Sequence, residues 1–302
     1  MIDRACLSLN NVCNLYCRYC NFRQMNRISS DEILIKSDIN IILNNILYYS
    51  RKNGLSTFKM GIVGAGEPLI NFDSIKYIIE YAKREDTDNV FSFYTITNGT
   101  LVNKEMLIFF YNNKQRIILN FSLDGYEEIH NYGRERFSET LGGIRLYKAI
   151  FQEEPILNCT VSRQTINNKK AVVEYFVEND FKRVNFSQLV DVEDHDLAIT
   201  HQEFLDFLQY INDTKAIIFR QNRKEKYYDC RTYGKLCGVG RTNIFITKQG
   251  IYPCSRFYKN NDYKIAGFNT GLFEISLNMK RIQLVKDGEC YYNKYILKRE
   301  DL

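Results

Sequence analysis

The sequence lacks several features that would assign it to a class of proteins. No apolar run approaches the roughly 18 to 20 residues of a membrane-spanning helix, and Met1-Ile2-Asp3-Arg4 does not begin a signal peptide. The net charge is +5 without a dense lysine or arginine run, so no nucleic-acid arm is indicated. Tryptophan is absent and proline occurs three times, which we interpret as genomic bias. We therefore expect a cytoplasmic protein with neither a membrane nor a nucleic-acid partner.

Cysteine, in contrast, occurs nine times in 302 residues. Because the cytoplasm is reducing, metal binding is a better explanation than disulfides for clustered cysteines. Cys13, Cys17 and Cys20 have the spacing C-x3-C-x2-C directly after an apolar stretch. A closed [4Fe–4S] cluster takes four thiolates, so three leave one iron free for another ligand. Half of a zinc site is the alternative, although no second C-x2-C pair follows within a hundred residues.

Short β-rich runs alternate with amphipathic stretches from residue 5 to about residue 212, which is typical of βα units and a parallel sheet. We expect strands buried on both faces under helical cover, and we favour a partial (β/α)6 TIM-like barrel with its chemistry at the carboxyl ends of the strands. A capping box at Thr200 predicts a late helix. The predicted strands are Ala5–Asn10, Thr57–Val63, Phe91–Ile96, Arg116–Leu123, Ile156–Val161 and Arg183–Leu189.

Three further motifs follow the second, third and fourth predicted strands. The first motif contains small residues, which let a ligand approach the backbone closely, and a carboxylate that can hold an ammonium group. The second motif contains a hydroxyl and an amide that suit a ribose. The third motif ends in an arginine that suits a carboxylate. Each is also compatible with an ordinary turn or a solvated surface. The motifs are Gly64-Ala65-Gly66-Glu67-Pro68, Thr97-Asn98-Gly99, and Ser122-Leu123-Asp124-Gly125 with His130 and Arg134.

The order of these motifs resembles that of the radical S-adenosylmethionine (SAM) enzymes, in particular the SPASM/twitch branch. Cys13–Cys20 is similar to that branch's CNLxCxYC, Gly64–Ile70 to its GGGEPL, and Phe121–Arg134 to its SLDG…H…R stretch. The resemblance implies an α/β partial barrel over residues 1–212 and a twitch-type auxiliary-cluster region over residues 213–302. It also implies a [4Fe–4S] cluster that reductively cleaves SAM to a 5′-deoxyadenosyl radical.

The resemblance further implies a role for each matching residue. The cluster would bind Cys13, Cys17 and Cys20. Ala65 stands where the family usually has glycine, and we expect it to be tolerated if its φ is negative. The SAM site would contain Tyr19 beside the adenine, Ala65, Gly66 and Glu67 at the amino group, Thr97, Asn98, Ser122 and Asp124 along the ribose and methionine, and Arg134 at the carboxylate.

Four later cysteines, Cys230, Cys237, Cys254 and Cys290, are enough to close a second cluster. Twelve residues separate Cys237 from Gly250 and three separate Gly250 from Cys254, one residue short of the branch's C-x(9–15)-G-x4-C opening. A hairpin is predicted here, over Asn243–Thr247 and Ile251–Pro253. We expect a single auxiliary [4Fe–4S] cluster, with a structural zinc site as the alternative; without Cys290 that cluster would have an open iron.

Two other cysteines and one acidic segment allow two interpretations each. Cys6 and Cys159 lie in predicted strands and are most simply small buried hydrophobes, although Cys159 could donate a hydrogen atom to a substrate radical. The segment after strand six, which contains Asp191, Asp194 and His195, is either a solvated loop or the general base of the oxidation.

The resemblance implies an enzyme that abstracts hydrogen from a ribosomally synthesised peptide, giving a thioether or carbon–carbon cross-link or another oxidative change. The implied partners are a precursor peptide, a flavodoxin- or ferredoxin-type electron donor and, since only four residues precede the first strand, a separate leader-binding protein. Dehydrogenation of a sugar-like alcohol and sulfatase-type maturation are enzymatic alternatives. A zinc-stabilised binding module without catalytic activity is an alternative from another class.

Overall fold

The computed structural model describes residues 1–20, 22, 32–189, 194, 196–214 and 242–282. The strands are β1 (Arg4–Leu7), β2 (Phe58–Ile62), β3 (Phe91–Thr97), β4 (Ile117–Ser122), β5 (Ile156–Val161), β6 (Val184–Gln188), β7 (Asn243–Thr247) and β8 (Gly250–Tyr252). The helices are α1 (Lys36–Lys52), α2 (Phe72–Glu85), α3 (Lys104–Asn112), α4 (Glu127–Gly133), α5 (Phe137–Phe151), α6 (Arg163–Asn167), α7 (Lys169–Glu178), α8 (His201–Asp213) and α9 (Leu272–Ile282).

The described strands form one sheet in the order β6-β5-β4-β3-β2-β1-β7-β8. The six predicted strands are confirmed as β1 to β6, each parallel to its neighbour. The largest difference from the prediction is at β1, which ends at Leu7 rather than Asn10. Asn10 instead turns the chain, because its Oδ1 accepts a hydrogen bond of 2.7 Å from the backbone N–H of Val12.

The predicted hairpin is also confirmed, since β7 and β8 are antiparallel. In addition, β7 pairs in parallel with β1, with Ala5 opposite Ile244. The first part of the later cysteine-rich region therefore extends the same sheet. The division of the chain near residue 212 remains a prediction.

The two faces of the strands differ in burial, which corrects our expectation that both faces are covered. Phe93 and Thr95 of β3 are buried, whereas Tyr94 and Ile96 between them are half-buried, and β5 alternates in the same way. The half-buried face borders a cavity of about 810 Å³ that residues of β1 to β7 surround. Seven strands around one cavity form a partial barrel, whose described edges are β6 and β8.

The fully buried face of the sheet packs against amphipathic helices. On α1, Ile39, Ile42 and Ile46 are buried. Helix α8 begins at the predicted capping box, in which Thr200 Oγ1 accepts from the Glu203 backbone N–H at 3.2 Å. No helix in the described ranges is long and apolar enough to cross a membrane.

Candidate functional site

The loop after β1 carries the three clustered cysteines at the carboxyl end of that strand. Burial raises the pKa of Cys17 to about 12; the Cys20 and Cys13 thiols act in the same direction, whereas Arg134 lowers it. Burial also raises the pKa of Cys13. The three thiols are thus close enough to interact, and burial disfavours the thiolate form of Cys13 and Cys17, which metal binding would favour.

The number and the C-x3-C-x2-C spacing of these thiols fit a [4Fe–4S] cluster. Within the part of the chain that the structure describes, no three His, Cys, Asp or Glu side chains converge on one metal position. A cubane binds each thiolate on a different iron, so its ligands stand further apart than those of a single zinc ion.

The turn after β2 packs directly against the cysteine loop. The Glu67 backbone N–H donates to the Val12 carbonyl at 2.7 Å. Gly66 has φ +89°, and a Cβ there would lie 2.4 Å from both Asn10 Oδ1 and Val12 O. Ala65 has a negative φ, which meets the condition under which alanine replaces glycine without strain.

The Glu67 carboxylate connects the turns after β2 and β3. It is buried and accepts hydrogen bonds from Thr97 Oγ1 at 2.7 Å and from the Asn98 backbone N–H at 2.9 Å. It also accepts one from Leu69 N at 3.1 Å, and burial raises its pKa. A carboxylate has about four acceptor positions, so one remains for an ammonium group.

Asn14, between two of the cysteines, connects the cysteine loop to the turn after β3. Its Nδ2 donates to Thr100 Oγ1 at 2.7 Å, and its Oδ1 accepts from Asn98 Nδ2 at 2.9 Å. Asn98 Oδ1 in turn accepts from the Thr100 N–H at 2.9 Å. Both polar groups of the Asn98 side chain therefore have hydrogen-bond partners within the protein.

Asp124, after β4, is buried at the centre of a second network. It accepts hydrogen bonds from Tyr19 Oη, from Arg134 Nε at 2.8 Å and from the Thr160 backbone N–H at 2.8 Å. The Arg134 guanidinium lies 5.2 Å from the Tyr19 ring centroid. Tyr19 and Arg134 thus contact each other within the protein itself. Ser122, two residues before Asp124 in the sequence, is also buried.

The predicted base residues are only partly described. Asp191 and His195 lie outside the described residues. The Asp194 carboxylate forms an ion pair with Arg18, between Cys17 and Cys20, and the Arg18 guanidinium lies 4.3 Å from the Tyr132 ring centroid. Asp194 therefore connects the segment after β6 to the cysteine loop.

The remaining cysteines fall into three environments. Cys159 is 1% exposed and belongs to the apolar core, which favours the packing interpretation over hydrogen-atom donation. Cys6 is only half-buried and lies on the concave face of the sheet, whereas Cys159 lies on the other face. Its Sγ lies 3.9 Å from Tyr94 Oη. Cys6 is therefore not the buried hydrophobe that we expected. Cys254 follows β8 and is half-buried, whereas Cys230, Cys237 and Cys290 lie outside the described residues.

Several residues of this site are absent from the sequence-based prediction. Ser8 Oγ accepts from the Ala65 N–H at 3.0 Å, and Asn10 and Val12 contact Gly66. Thr160 contacts both Asp124 and Arg134. Their positions at strand ends are the only signal in the sequence that could have found them.

The comparisons with known proteins agree with this geometry. The model of the Radical SAM superfamily matches residues 7–161, half of the chain. The chain belongs to the Radical SAM superfamily. Its cofactors are a [4Fe–4S] cluster and SAM, and Cys13, Cys17 and Cys20 fit the cluster by number, spacing and burial.

Relatives and solved structures extend the likeness over most of the chain. A cysteine-type anaerobic sulfatase-maturating enzyme of Clostridium novyi is 27% identical over 84% of this chain and 73% of its own. Native anSMEcpe with bound AdoMet and Cp18Cys peptide has a TM-score of 0.77 at 19% identity, covering 96% of this chain and 86% of that one. Streptococcus suis SuiB bound to precursor peptide SuiA has a TM-score of 0.67 at 16% identity, covering 91% and 64%.

The close approach at Gly66 gives a prediction for SAM binding. Gly66→Ala forces a side chain into the left-handed region at a cost of about 1–2 kcal/mol and against Asn10 and Val12. We expect SAM to bind reconstituted enzyme about tenfold more weakly, as measured by titration. The control Ala65→Gly, at negative φ, should bind normally. Unchanged affinity in Gly66→Ala would contradict the assignment of this turn to the SAM site.

Buried His130 gives a prediction for stability against pH. Burial lowers its pKa to about 4, and its Nδ1 accepts from the Asp124 backbone N–H at 3.3 Å. The pKa of unfolded histidine is about 6.5, so the unfolded state binds more protons between these values. The stabilisation is therefore present above about pH 6.5 and lost towards pH 4, at about 1.4 kcal/mol per pH unit.

Urea unfolding at two pH values tests this effect. Between pH 7.5 and 5.5, the wild type should lose about 1 kcal/mol more stability than His130→Gln, which keeps a hydrogen-bond acceptor but does not titrate. Carboxylate contributions are common to both proteins. Equal losses would show that His130 is not held neutral.

Proposed function

We propose that this radical SAM enzyme abstracts a hydrogen atom from a residue of a polypeptide, which then becomes cross-linked by a thioether or carbon–carbon bond, or is otherwise oxidised. The observation that carries the proposal is the 810 Å³ cavity on the concave face of the sheet, which runs along the strands below the SAM site. It has room for several residues of an extended chain. Relatives described with bound peptides, anSMEcpe and SuiB, favour the same substrate class.

The protein's own residues would bind and orient the reactants. With the cluster on Cys13, Cys17 and Cys20, reductive cleavage of SAM supplies a 5′-deoxyadenosyl radical that takes hydrogen from an unactivated C–H bond. Glu67 would hold the SAM amino group through its remaining acceptor position. Arg134, kept in place by Asp124, would face the SAM carboxylate. Burial of these groups keeps water from the site.

Completion of the oxidation requires the loss of one more electron and one proton from the substrate. Cys230, Cys237, Cys254 and Cys290 would hold an auxiliary [4Fe–4S] cluster, which would supply an acceptor for the electron. The proton would pass to the segment after β6, where Asp191 and His195 are the candidates; Asp194 could accept it only by leaving Arg18. A flavodoxin- or ferredoxin-type donor would reduce the first cluster, and a separate protein would bind a leader peptide.

Sulfatase-type maturation is a second candidate. In it a serine of a protein substrate is oxidised to an aldehyde, or a cysteine is oxidised to a thioaldehyde, which water hydrolyses to the aldehyde with release of hydrogen sulfide. The observation that favours it is the 27% identity to the sulfatase-maturating enzyme over 84% of the chain. The products differ, because a cross-linked peptide has lost two hydrogen atoms without gaining a carbonyl, whereas an aldehyde reacts with hydroxylamine. Mass spectrometry of a cysteine-containing peptide before and after hydroxylamine treatment therefore separates the two.

The central step is tested by SAM cleavage under anaerobic, reducing conditions. Reconstituted wild-type enzyme should release methionine and 5′-deoxyadenosine, detected by chromatography. Cys17→Ser should lose more than about 100-fold of this activity, because the cluster loses a thiolate ligand. The Cys159→Ala variant loses a thiol from the core and should retain the SAM-cleavage activity. The proposal fails if the wild type releases neither product, or if Cys17→Ser is as active as the wild type.

A further inference from the structure

The strands surround a cavity, lined by both polar and apolar side chains, that the cofactor site does not use. Its volume is about 810 Å³, and its polar lining includes Cys6, Lys59, Tyr94, Asn120, Asn158 and Asn185. Tyr94 precedes Thr97 by three residues, which in a strand is about 10 Å. Ile96 lies on the same half-buried face as Tyr94 and also lines the cavity. The cavity therefore extends to the residue before Thr97, whose own side chain lies on the buried face.

Three neighbouring strands present an amide side chain to the cavity. Asn120 on β4 is only 8% exposed, yet its Oδ1 has no hydrogen-bond partner among the residues that the structure describes. Asn158 on β5 accepts from Asn185 Nδ2 on β6 at 3.3 Å. Because buried polar atoms in folded proteins are nearly always paired, the Asn120 oxygen is an acceptor available to a donor in the cavity.

One positive charge in the cavity is not neutralised. The Arg4 guanidinium is paired with Asp3 at 3.1 Å. Lys59, in contrast, forms no ion pair with any residue described in the structure, and its Nζ lies 5.2 Å from the Tyr94 ring centroid. Tyr94 is fixed in this position because it packs over Gly61, where a Cβ would lie 2.5 Å from the ring. The cavity thus combines amide groups with a single available cation.

We infer that this cavity binds the substrate as an extended peptide, with backbone groups hydrogen-bonded to Asn120, Asn158 and Asn185 and an acidic side chain beside Lys59. The inference rests on the proposed function and specifies its substrate. Each peptide residue offers one donor and one acceptor, which amide side chains match. The 10 Å separation corresponds to about three extended residues, so the acidic residue lies about three or four positions from the reacting one.

Fluorescence anisotropy with reconstituted enzyme and SAM tests the inference. The probe is fluorescein-Cys-Gly-Gly-Gly-Asp-amide, and the matched probe carries Asn in place of Asp. The wild type should bind the Asp probe about threefold more tightly, and Lys59→Gln should remove that preference without weakening the Asn probe. Asn120→Leu, which removes the acceptor at similar size, should weaken both probes about fivefold.

Lys76→Gln is the matched control, since Lys76 lies on α2 and pairs with Asp73 away from the cavity. It should bind both probes like the wild type. If the Asn120→Leu variant fails to fold, the Lys59→Gln variant still tests the inference, because Lys59 is exposed. Myo-inositol, a neutral polyol, represents the alternative class of sugar-like alcohols. The inference is overturned if the wild type binds neither probe, binds both probes equally, or binds myo-inositol instead of the probes.

The outcome is separable from that of the proposed function. Probe preference lost in Lys59→Gln would support the cavity assignment even if SAM were never cleaved. Conversely, SAM cleavage by a wild type that ignores the acidic residue would overturn only the cavity assignment.

Discussion

The negative charge of Asp124 is buried at the carboxyl end of β4, and the arrangement of the cofactor end depends on how that charge is satisfied. A buried carboxylate is stable only when it is fully paired and hydrogen-bonded. Its partners come from three parts of the chain: Tyr19 in the cysteine loop, Arg134 after α4 and Thr160 on β5. Satisfying one carboxylate therefore fixes the cysteine loop relative to the sheet.

Two further connections reinforce this arrangement from the neighbouring strands. The Gly66–Glu67 turn contacts Val12, and Asn14 bonds to Asn98 and Thr100. The loops after β1 to β4 thus contact one another at the same edge of the sheet. The concave face of the same strands borders an open cavity with polar and apolar lining, which is the cavity that we propose for the substrate.

Much of this could be predicted from the sequence. The strands β1 to β6 were predictable because apolar runs alternate with amphipathic helices, and the order of motifs along the chain placed them at one sheet edge. The burial of the two faces was not predictable, because our assumption of two covered faces removes the distinction between odd and even positions. Cys6 and Cys159 consequently received the same interpretation, although they lie on opposite faces.

Long-range pairings were also beyond the sequence. Tyr19 and Asp124 are 105 residues apart, and neither residue type specifies its partner. The pairing of β7 with β1 likewise depends on an available parallel edge, which local patterns in residues 243–247 do not encode. The same holds for Arg18 and Asp194, which meet only once six strands have curved around the cavity.

Electron paramagnetic resonance of the anaerobically reduced, reconstituted protein tests the central claim most directly, namely that three thiolates leave an iron open to SAM. A variant in which Cys230, Cys237, Cys254 and Cys290 are all replaced by alanine lacks every candidate ligand of the auxiliary cluster, which simplifies the spectrum. The account predicts a reduced [4Fe–4S] signal that changes when SAM is added. A signal that SAM leaves unchanged, or one that persists after Cys13, Cys17 and Cys20 are replaced together in this variant, would contradict it.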